Sequence, residues 1–313
     1  MADKIATREA YGKALAEFGA IYENLVVLDA DLAQATKTVT FKKAFPDRFI
    51  DCGIAEQNMM GIAAGLSLCG KIPFASSFAM FAAGRAFEQV RNSIGYPHLN
   101  VKIGATHAGV TVGEDGATHQ CNEDIALMRT IPGMTILNPA DATEARLAVK
   151  AAIEMQGPCY LRFGRFAVPV IFGADYKFEI GKGVQLADGK DVAIIATGLE
   201  VEQALAAREL LAADGISACV VNMCTIKPLD EAIVVAAAQK CGCIVTAEEH
   251  TIFGGLGSAV TECVCEKCPV PVLRVGVRDV FGTSGPAKDL IPYFGLDAQT
   301  IANRAKEAVA LKK

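Results

Sequence analysis

The sequence predicts an α/β protein of two doubly wound domains, each a parallel sheet with helices on both faces. Short apolar runs alternate with longer helical patterns along nearly the whole chain, and this alternation is typical of parallel sheets. The runs are continuously apolar, as expected for strands that are buried on both faces. At 313 residues the chain is long enough for two domains of ordinary size.

The first domain is predicted to span residues 1–165. It opens with a helix over 7–22, because Ala10, Leu15, Phe18 and Ile21 recur at helical spacing. A continuous apolar run that ends in Asp29-Ala30-Asp31 follows, as expected of a buried parallel strand. The same patterns predict strands over 25–28, 49–52, 73–78, 101–105, 134–137 and 159–163, and helices over 56–68, 83–94, 122–130 and 142–155.

A linker is predicted over 166–189 and a second α/β domain over 190–313. The segment from about 164 to 190 is mixed in composition and contains Pro169 and five glycines. Beyond it, apolar runs predict strands over 192–198, 218–222, 244–247 and 272–277. Helices are predicted over 201–213 and 229–239, after Gly254-Gly255, and from about 297.

Composition narrows the class of protein. Hydrophobic residues make up 52% of the chain and charged residues 21%, which is typical of a soluble globular protein. The net charge is −5 and there is no basic stretch, so a nucleic-acid partner is not expected. No apolar segment approaches the roughly 18 residues of a membrane span, and the polar start lacks the features of a signal peptide. We expect a cytoplasmic protein.

The eleven cysteines do not have the pattern of a disulfide framework. Several lie in apolar runs (Cys52, Cys69, Cys159, Cys219 and Cys224), where a free thiol behaves as a small hydrophobic side chain, and a reducing cytoplasm tolerates them. Cys263, Cys265 and Cys268, with Cys241 and Cys243 upstream, could begin a zinc or iron–sulfur site. Because the first three lie on a predicted helix, where residues two apart point in different directions, we favour a structural role.

Glu56 lies at the start of a predicted helix, directly after a strand, in the stretch Gly53-Ile54-Ala55-Glu56-Gln57-Asn58-Met59-Met60-Gly61. This is where α/β folds form ligand crevices. In an apolar crevice, desolvation would raise the pKa of Glu56 and allow proton exchange with a ring nitrogen. By itself the position also fits a carboxylate that only complements the helix dipole.

A glycine-rich loop after the 101–105 strand carries His107, Asp115 and His119. Two of the four histidines in the chain therefore flank one Asp-Gly turn, which is an unusual density of polar groups. Imidazoles can donate to an alkoxide and a carboxylate can accept from hydroxyls. The loop is a candidate substrate site.

These stretches resemble the C-terminal half of transketolases, over residues 6 to about 309. Gly-Ile-x-Glu-Gln-x-Met around Glu56 is similar to the family motif whose glutamate contacts the aminopyrimidine of thiamine diphosphate. The string Gly-Glu-Asp-Gly-x-Thr-His-Gln is similar to the family's sugar-binding loop. The resemblance implies that Glu56 exchanges a proton with the cofactor ring and that His119 contacts the donor ketose near its carbonyl. It further implies that Asp115 binds a sugar hydroxyl and that His107 helps to hold the substrate.

The resemblance extends to further positions. It implies that Phe81 stacks on the aminopyrimidine and that Phe78 also lines the cofactor pocket, whereas the family's next aromatic is missing because Ala82-Ala83-Gly84 follows. Arg165 matches the arginine that binds the substrate phosphate, a task that suits its planar guanidinium, and Arg162 is its rival. The remaining matches are Arg8, at a phosphate-binding position, and Asp31, near the cofactor.

The second domain also contains a glycine-rich helix start, Gly254-Gly255-Leu256-Gly257, which has the form of a phosphate cradle. It lies in a region that resembles the C-terminal domain shared by transketolases, deoxyxylulose phosphate synthases and 2-oxo acid dehydrogenase β subunits. The resemblance implies a mainly architectural domain, with His250 in a structural or interface role.

Half of the expected cofactor site is missing from the sequence. Thiamine-diphosphate enzymes hold the diphosphate and its metal with a Gly-Asp-Gly motif, and no Gly-Asp-Gly occurs here. The resemblance therefore implies a partner, an N-terminal subunit that carries the diphosphate-binding domain and binds most of the Mg²⁺ or Ca²⁺. We expect a heterotetramer with two copies of each chain, in which this chain dimerises with itself.

The implied function is ketol transfer, in which a two-carbon unit passes from a ketose phosphate to an aldose phosphate through thiamine diphosphate. Two alternatives remain at this point: another thiamine-diphosphate half-enzyme, such as a deoxyxylulose phosphate synthase-like or 2-oxo acid dehydrogenase β chain, and a non-catalytic interaction subunit that kept the fold. A nucleotide-binding oxidoreductase is disfavoured because no G-x-G-x-x-G opens a first βα turn.

Overall fold

The computed structural model describes residues 3–312 and confirms the predicted fold class. Its strands, in chain order, are β1 Lys4–Ala6, β2 Leu25–Asp29, β3 Phe49–Asp51, β4 Ile72–Phe78, β5 Lys102–Thr106, β6 Thr135–Leu137, β7 Cys159–Arg162, β8 Ala167–Pro169, β9 Val184–Ala187, β10 Val192–Ala196, β11 Ala218–Asn222, β12 Thr225–Lys227, β13 Ile244–Thr251 and β14 Val272–Val277.

Its α-helices are α1 Thr7–Gly19, α2 Ala33–Thr36, α3 Val39–Ala44, α4 Glu56–Leu68, α5 Phe87–Gln89, α6 Asp124–Arg129, α7 Ala142–Glu154, α8 Glu200–Ala213, α9 Glu231–Cys241, α10 Leu256–Lys267, α11 Ala287–Tyr293 and α12 Ala298–Ala310. Two π-helical segments, Met80–Arg85 and Val90–Gly95, flank α5 where the sequence predicts one continuous helix. No helix within residues 3–312 has both the length and the apolar character needed to cross a membrane.

The first sheet has the strand order β12-β6-β7-β5-β4-β2-β3, and every neighbouring pair from β6 to β3 is parallel. Because these strands are parallel, their carboxyl ends lie along one edge of the sheet. The second sheet has the order β14-β13-β10-β11-β9, with β9 antiparallel at its edge.

At the domain junction, a strand from the second part of the chain joins the sheet of the first domain. Strand β12 follows β11 of the second domain in sequence, yet it pairs antiparallel with β6 of the first sheet. The predicted linker 166–189 contains β8, which pairs with β1, and β9, which pairs with β11. The domain boundaries at 165 and 190 stay a prediction. The segment between them is not an unstructured linker, because its two strands pair with β1 of the first domain and β11 of the second.

Helix α1 is fixed against the first sheet by Tyr11. A Cβ on Gly104 would collide with the Tyr11 ring, so this glycine lets the ring lie directly on β5. The Tyr11 hydroxyl is 2.6 Å from Ser76 Oγ, and the ring stacks on Phe163. This packing holds the start of α1, and with it Arg8, over the carboxyl edge of the sheet.

Candidate active site

Glu56 is buried at the first residue of α4, as the sequence predicts. A carboxylate is favourable in the first turn because it faces the positive end of the helix dipole. Glu56 Oε2 lies 2.9 Å from Arg85 Nη1, and Ser77 Oγ is 3.4 Å from Oε1. The crevice around Glu56 is therefore not purely apolar, and the sequence did not predict this ion pair.

Two aromatic rings form a wall near Glu56, which contacts Ser77, directly before Phe78, and Arg85, whose guanidinium lies over Phe81. Phe78 is the last residue of β4, and Phe81 lies in the π-helical segment that follows; their ring centroids are 5.8 Å apart, with an interplanar angle of 12°. A π-helical turn is wider than an α-helical turn and has i to i+5 hydrogen bonds. Here Ala86 N–H donates to the Phe81 carbonyl at 3.2 Å. Such π-turns are frequent at functional sites.

His107 is buried against this wall. Its ring stacks on Phe78 with centroids 3.8 Å apart, Nε2 lies 2.8 Å from Arg8 Nη1 and Nδ1 lies 2.9 Å from Thr106 Oγ1. Burial, together with the nearby Arg8 and Arg165, lowers the pKa of His107 to about 3. The ring is therefore neutral at physiological pH, with Nε2 accepting from Arg8 and Nδ1–H donating to Thr106.

His119 reaches the same wall from the glycine-rich loop. Its ring meets Phe81 edge-on, with centroids 5.4 Å apart and an interplanar angle of 75°. Its Nδ1 lies 2.9 Å from Thr118 Oγ1. With Nδ1 engaged, a ligand in the cleft would be met by Nε2. Glu56, Phe78, Phe81, His107 and His119 thus lie on one wall, although they come from three separate stretches of the sequence.

The second domain holds the glycine-rich loop in place. Gln120 Nε2 donates to the carbonyl oxygens of Val110 and Gly113, and to that of Thr283 at 2.9 Å. The Ser284 hydroxyl donates to the Glu114 carbonyl at 2.7 Å. The loop that carries His119 and Asp115 is therefore braced from across the domain junction.

The side chain of Arg165 contacts the glycine-rich loop, whereas that of the rival Arg162 does not. Arg165 Nη1 donates to the Val112 carbonyl and lies 3.4 Å from Glu114 Oε2 and 3.9 Å from Asp115 Oδ2. Arg8 Nη1 contacts His107 Nε2 at the same end of the site, and burial together with the positive charge of Arg165 lowers the pKa of Arg8. Such a pair suits a phosphate, which would neutralise both.

Arg162 has a structural environment. It is buried, its Nε lies 2.9 Å from Asp124 Oδ2, and its Nη2 donates to the Glu249 carbonyl at 2.8 Å. These contacts occupy its guanidinium inside the domain junction, which leaves Arg165 as the candidate for phosphate binding.

Asp31 lies apart from the wall. It is exposed, has a left-handed backbone (φ 62°) and lines a separate cleft of about 300 Å³ together with Leu32 and Asp51. The neighbouring Asp29, which the sequence analysis did not single out, is buried and accepts hydrogen bonds from Leu32 N and the hydroxyls of Thr36 and Thr38. Burial raises the pKa of Asp29 to about 6. The role of Asp31 near a cofactor stays a prediction.

An open cleft of about 780 Å³ extends outward from Phe81. Its walls are Met80 and Arg85, the loop residues Ala117 and Thr118, and Asp279–Gly282 of the second domain. At Gly84, where the family's aromatic is missing, a Cβ would collide with the methyl group of Met80, so Met80 and Arg85 form the wall there. The sequence analysis did not identify Met80 or Arg85 as site residues, because neither belongs to a recognisable motif.

Within residues 3–312, no group of three or more His, Cys, Asp or Glu side chains is arranged to hold a metal ion. The cysteines of the cluster differ in environment, with Cys263 buried and Cys265 exposed on α10. The residues described do fit the aminopyrimidine half of thiamine diphosphate, since a buried carboxylate and an aromatic face lie side by side.

Known proteins match this chain over nearly its full length. Residues 3–170 match the transketolase pyrimidine binding domain and residues 181–301 the transketolase C-terminal domain. The chain is 52% identical to a putative transketolase C-terminal section of Methanocaldococcus jannaschii, over 96% of this chain and 95% of that one. It is 38% identical to mouse transketolase, over 98% of this chain but 49% of that protein.

A solved structure, described as a split gene transketolase in an inactive beta4 tetramer, is 53% identical. It superposes with a TM-score of 0.92, over 99% of this chain and 100% of that one. With both domain families matched in order, and with these relatives covered at this identity, the chain belongs to the transketolase family.

Proposed function

We propose that this chain is the pyrimidine-binding half of a two-chain transketolase, which transfers a two-carbon ketol unit from a ketose phosphate to an aldose phosphate. The observation that carries the proposal is the wall at the carboxyl edge of the first sheet. There the buried Glu56 carboxylate binds Arg85, whose guanidinium lies over the Phe81 ring, and His107 and His119 contact the aromatic pair of Phe78 and Phe81.

Thiamine diphosphate, when bound, supplies the carbon nucleophile and the electron sink for breaking the bond next to a ketose carbonyl. Toward it, Phe81 provides a stacking face and Glu56 a carboxyl group that can give a proton to, or take one from, a ring nitrogen. The burial of Glu56 keeps water away from that proton.

The substrate would lie along the glycine-rich loop. His119 Nε2 donates to the ketose oxygen on which negative charge develops, and this is the kind of contact that lowers a barrier most. Asp115, exposed on the loop, accepts from sugar hydroxyls. His107 is neutral and both of its ring nitrogens are engaged, by Arg8 and Thr106, so it helps to hold substrate indirectly, by fixing the Arg8 guanidinium. Arg165 and Arg8 bind the sugar phosphate.

The second half of the cofactor site would come from another polypeptide. The chain covers 49% of mouse transketolase, contains no Gly-Asp-Gly, and holds no acidic metal cluster in its described part. These facts support a partner subunit that binds the diphosphate with Mg²⁺ or Ca²⁺, in a cytoplasmic heterotetramer. The relative described as an inactive beta4 tetramer supports self-association of this chain without activity.

The rival half-enzymes and the non-catalytic subunit are less well supported. A scaffold has no need of a buried Glu56 paired with an arginine that lines an open cleft, nor of a buried neutral His107 held by an arginine. The histidine pair on the intact Gly-Glu-Asp-Gly-x-Thr-His-Gln loop favours a sugar donor over a 2-oxo acid.

The test is ketol transfer from xylulose 5-phosphate to ribose 5-phosphate with thiamine diphosphate and Mg²⁺, for this chain alone and co-expressed with a diphosphate-domain subunit. We expect activity only in the assembled enzyme and its loss in Glu56→Ala. The matched control is Glu88→Ala, an exposed carboxylate on α5 that contacts Gln89 and Asn92. Activity from the chain alone would contradict the two-chain proposal. If the assembled enzyme binds the cofactor but shows no ketol transfer, the rival half-enzymes would be favoured.

A further inference from the structure

Arg85 makes both of the contacts that a bound aminopyrimidine would need. Its guanidinium carbon lies 4.5 Å from the centroid of the Phe81 ring, and its Nη1 lies 2.9 Å from Glu56 Oε2. One side chain therefore engages both a face of the Phe81 ring and the Glu56 carboxylate.

A guanidinium group is a chemically reasonable substitute for the ring. Both groups are flat, both stack on an aromatic face, and both present N–H donors in the plane to a carboxylate. A ring that stacks on the same face of Phe81 and contacts Glu56 Oε2 would take the position of the Arg85 guanidinium. The ring must therefore displace Arg85 before it can make the same contacts.

The surroundings of Arg85 allow this exchange. Its side chain is 47% exposed although the carboxylate it binds is 2% exposed, so the guanidinium can move toward the open cleft without crossing packed side chains. Arg85 itself lines this cleft of about 780 Å³, which therefore provides space on the exposed side of the guanidinium. An aromatic residue at position 84 would crowd this same region.

Removing every partner of the buried Glu56 carboxylate would lower the stability of the folded chain. A buried carboxylate that loses its cation keeps the desolvation cost without compensation, and Arg85 is the cation that pairs with Glu56. We propose that Arg85 is an internal placeholder for the aminopyrimidine, which protects Glu56 in the cofactor-free subunit and must be displaced for the cofactor to bind. This inference rests on the proposed function and concerns the regulation of that site.

The consequence is a lower apparent affinity for the pyrimidine. If Arg85 occupies the space for about nine-tenths of the time, the apparent dissociation constant rises about tenfold. Removing the guanidinium should therefore strengthen pyrimidine binding. If Arg85 instead contacted the bound ring, its removal would weaken binding.

The experiment titrates the full chain with 4-amino-5-hydroxymethyl-2-methylpyrimidine, the pyrimidine half of thiamine, by ligand-detected NMR. We expect Arg85→Ala to bind about tenfold more tightly than the unsubstituted chain, and Arg85→Lys to fall between them because it keeps the charge but loses the flat group. The control is Arg91→Ala, an exposed arginine on the second π-helical segment that contacts Asn92, and it should bind as the unsubstituted chain does.

A competition arm tests whether the two groups share one space. Millimolar methylguanidinium should displace the pyrimidine from Arg85→Ala, and methylammonium at the same concentration should not. Unchanged or weaker pyrimidine binding in Arg85→Ala, or binding of both molecules together, would overturn the inference.

Failure of this inference differs from failure of the proposed function. If Arg85→Ala gains no affinity while the assembled enzyme still transfers ketol units, the placeholder is wrong and the function stands. If the assembled enzyme binds no thiamine diphosphate in either form, the proposed function fails and the inference fails with it.

Discussion

The two domains have the same architecture but treat the crevice at the carboxyl ends of their strands in opposite ways. In the first domain this edge opens into a cleft of about 780 Å³ and carries polar groups that face it. In the second domain, Glu248 fills the position at the start of α10, and the segment after β14 forms the far wall of the same cleft. Fold similarity alone therefore does not predict a ligand site.

The filling of the second crevice is specific. Glu248 lies near the end of β13 and accepts hydrogen bonds from Leu256 N at 2.7 Å and Gly257 N at 2.8 Å, at the start of α10. These are the backbone groups of the glycine-rich helix start that resembles a phosphate cradle. An internal carboxylate thus takes the place of an external anion.

The same strand end joins the two domains. Glu249 Oε1 accepts from Thr111 N at 2.6 Å, and Ala126 N–H donates to His250 Nε2 at 3.3 Å. His250 therefore has an interface environment, as the family resemblance implied. The comparison shows that side chains at the end of β13 in the second domain hold the glycine-rich loop and α6 of the first domain in place.

Two arginines, both close to the end of β7, provide the strongest test of this division. Arg162→Met would leave Asp124 buried without its cation, and we expect the free energy of unfolding to fall by about 3–5 kcal/mol. Arg165→Met removes a partly exposed guanidinium, so the free energy of unfolding should change by less than about 1 kcal/mol. Its KM for the sugar phosphate should rise about 10–100-fold, through loss of a charge-assisted contact.

Chemical denaturation and steady-state kinetics of the assembled enzyme measure both effects. A stable Arg162→Met with a raised KM, beside an Arg165→Met with normal kinetics, would reverse the two assignments.

Glu248→Gln tests the claim that the second crevice is structural. An amide cannot accept from both Leu256 N and Gly257 N as a carboxylate does, so we expect a loss of about 1–3 kcal/mol in the free energy of unfolding. The kcat per folded enzyme should stay within about twofold, in contrast to the loss expected for Glu56→Ala. A large fall in kcat in fully folded Glu248→Gln would place chemistry in the second domain.

The pH dependence of stability tests the environment of His107. Its folded pKa of about 3 lies below the value of about 6.5 in an unfolded chain, so between these two values the unfolded state binds more protons. Stability therefore rises with pH over this window and is lost as the pH falls below about 6.5. His107→Gln should remove about 1–2 kcal/mol of the loss between pH 7 and pH 5.

Denaturant unfolding at several pH values measures this effect. His98→Gln, an exposed position, is the control and should leave the pH profile unchanged. Identical profiles for His107→Gln and the unsubstituted chain would contradict the buried, neutral ring.

A smaller effect is expected at the mouth of the cleft. Phe281 and Val280 of the second domain are exposed there, with Phe281 89% accessible. If the diphosphate-domain subunit covers the mouth, Phe281→Ser should weaken assembly by about tenfold without lowering the melting temperature. Analytical ultracentrifugation of the mixed subunits measures it, and Tyr293→Ser, exposed on α11, is the control. Equal assembly for both variants would place the partner elsewhere.

The sequence was sufficient for the parts of the fold that depend on local pattern. The buried parallel strands are continuous apolar runs, and α4 begins at Glu56, as its position after β3 predicts. The strands β1, β8, β9 and β12 were missed, because no bounded apolar run marks them and their pairing is set by tertiary contacts. The π-helical segments were predicted as a regular helix, because they have the same apolar spacing.

The candidate site was only partly accessible from sequence. The family resemblance indicated Glu56, Phe81 and the histidine loop, which the structure brings together. It could not separate Arg165 from Arg162, since both follow the same apolar run and only packing shows which one is buried. The pairing of Arg85 with Glu56 joins residues 29 positions apart and has no motif, so geometry was needed to find it.

The most direct test of the account is a crystal structure of the assembled two-chain enzyme with thiamine diphosphate and Mg²⁺. The account predicts the aminopyrimidine stacked on Phe81 with a ring nitrogen at Glu56, Arg85 displaced into the cleft, and Glu248 still bound to the start of α10. A cofactor bound in the second domain's crevice, or a ring bound elsewhere while Arg85 still contacts Glu56, would contradict it.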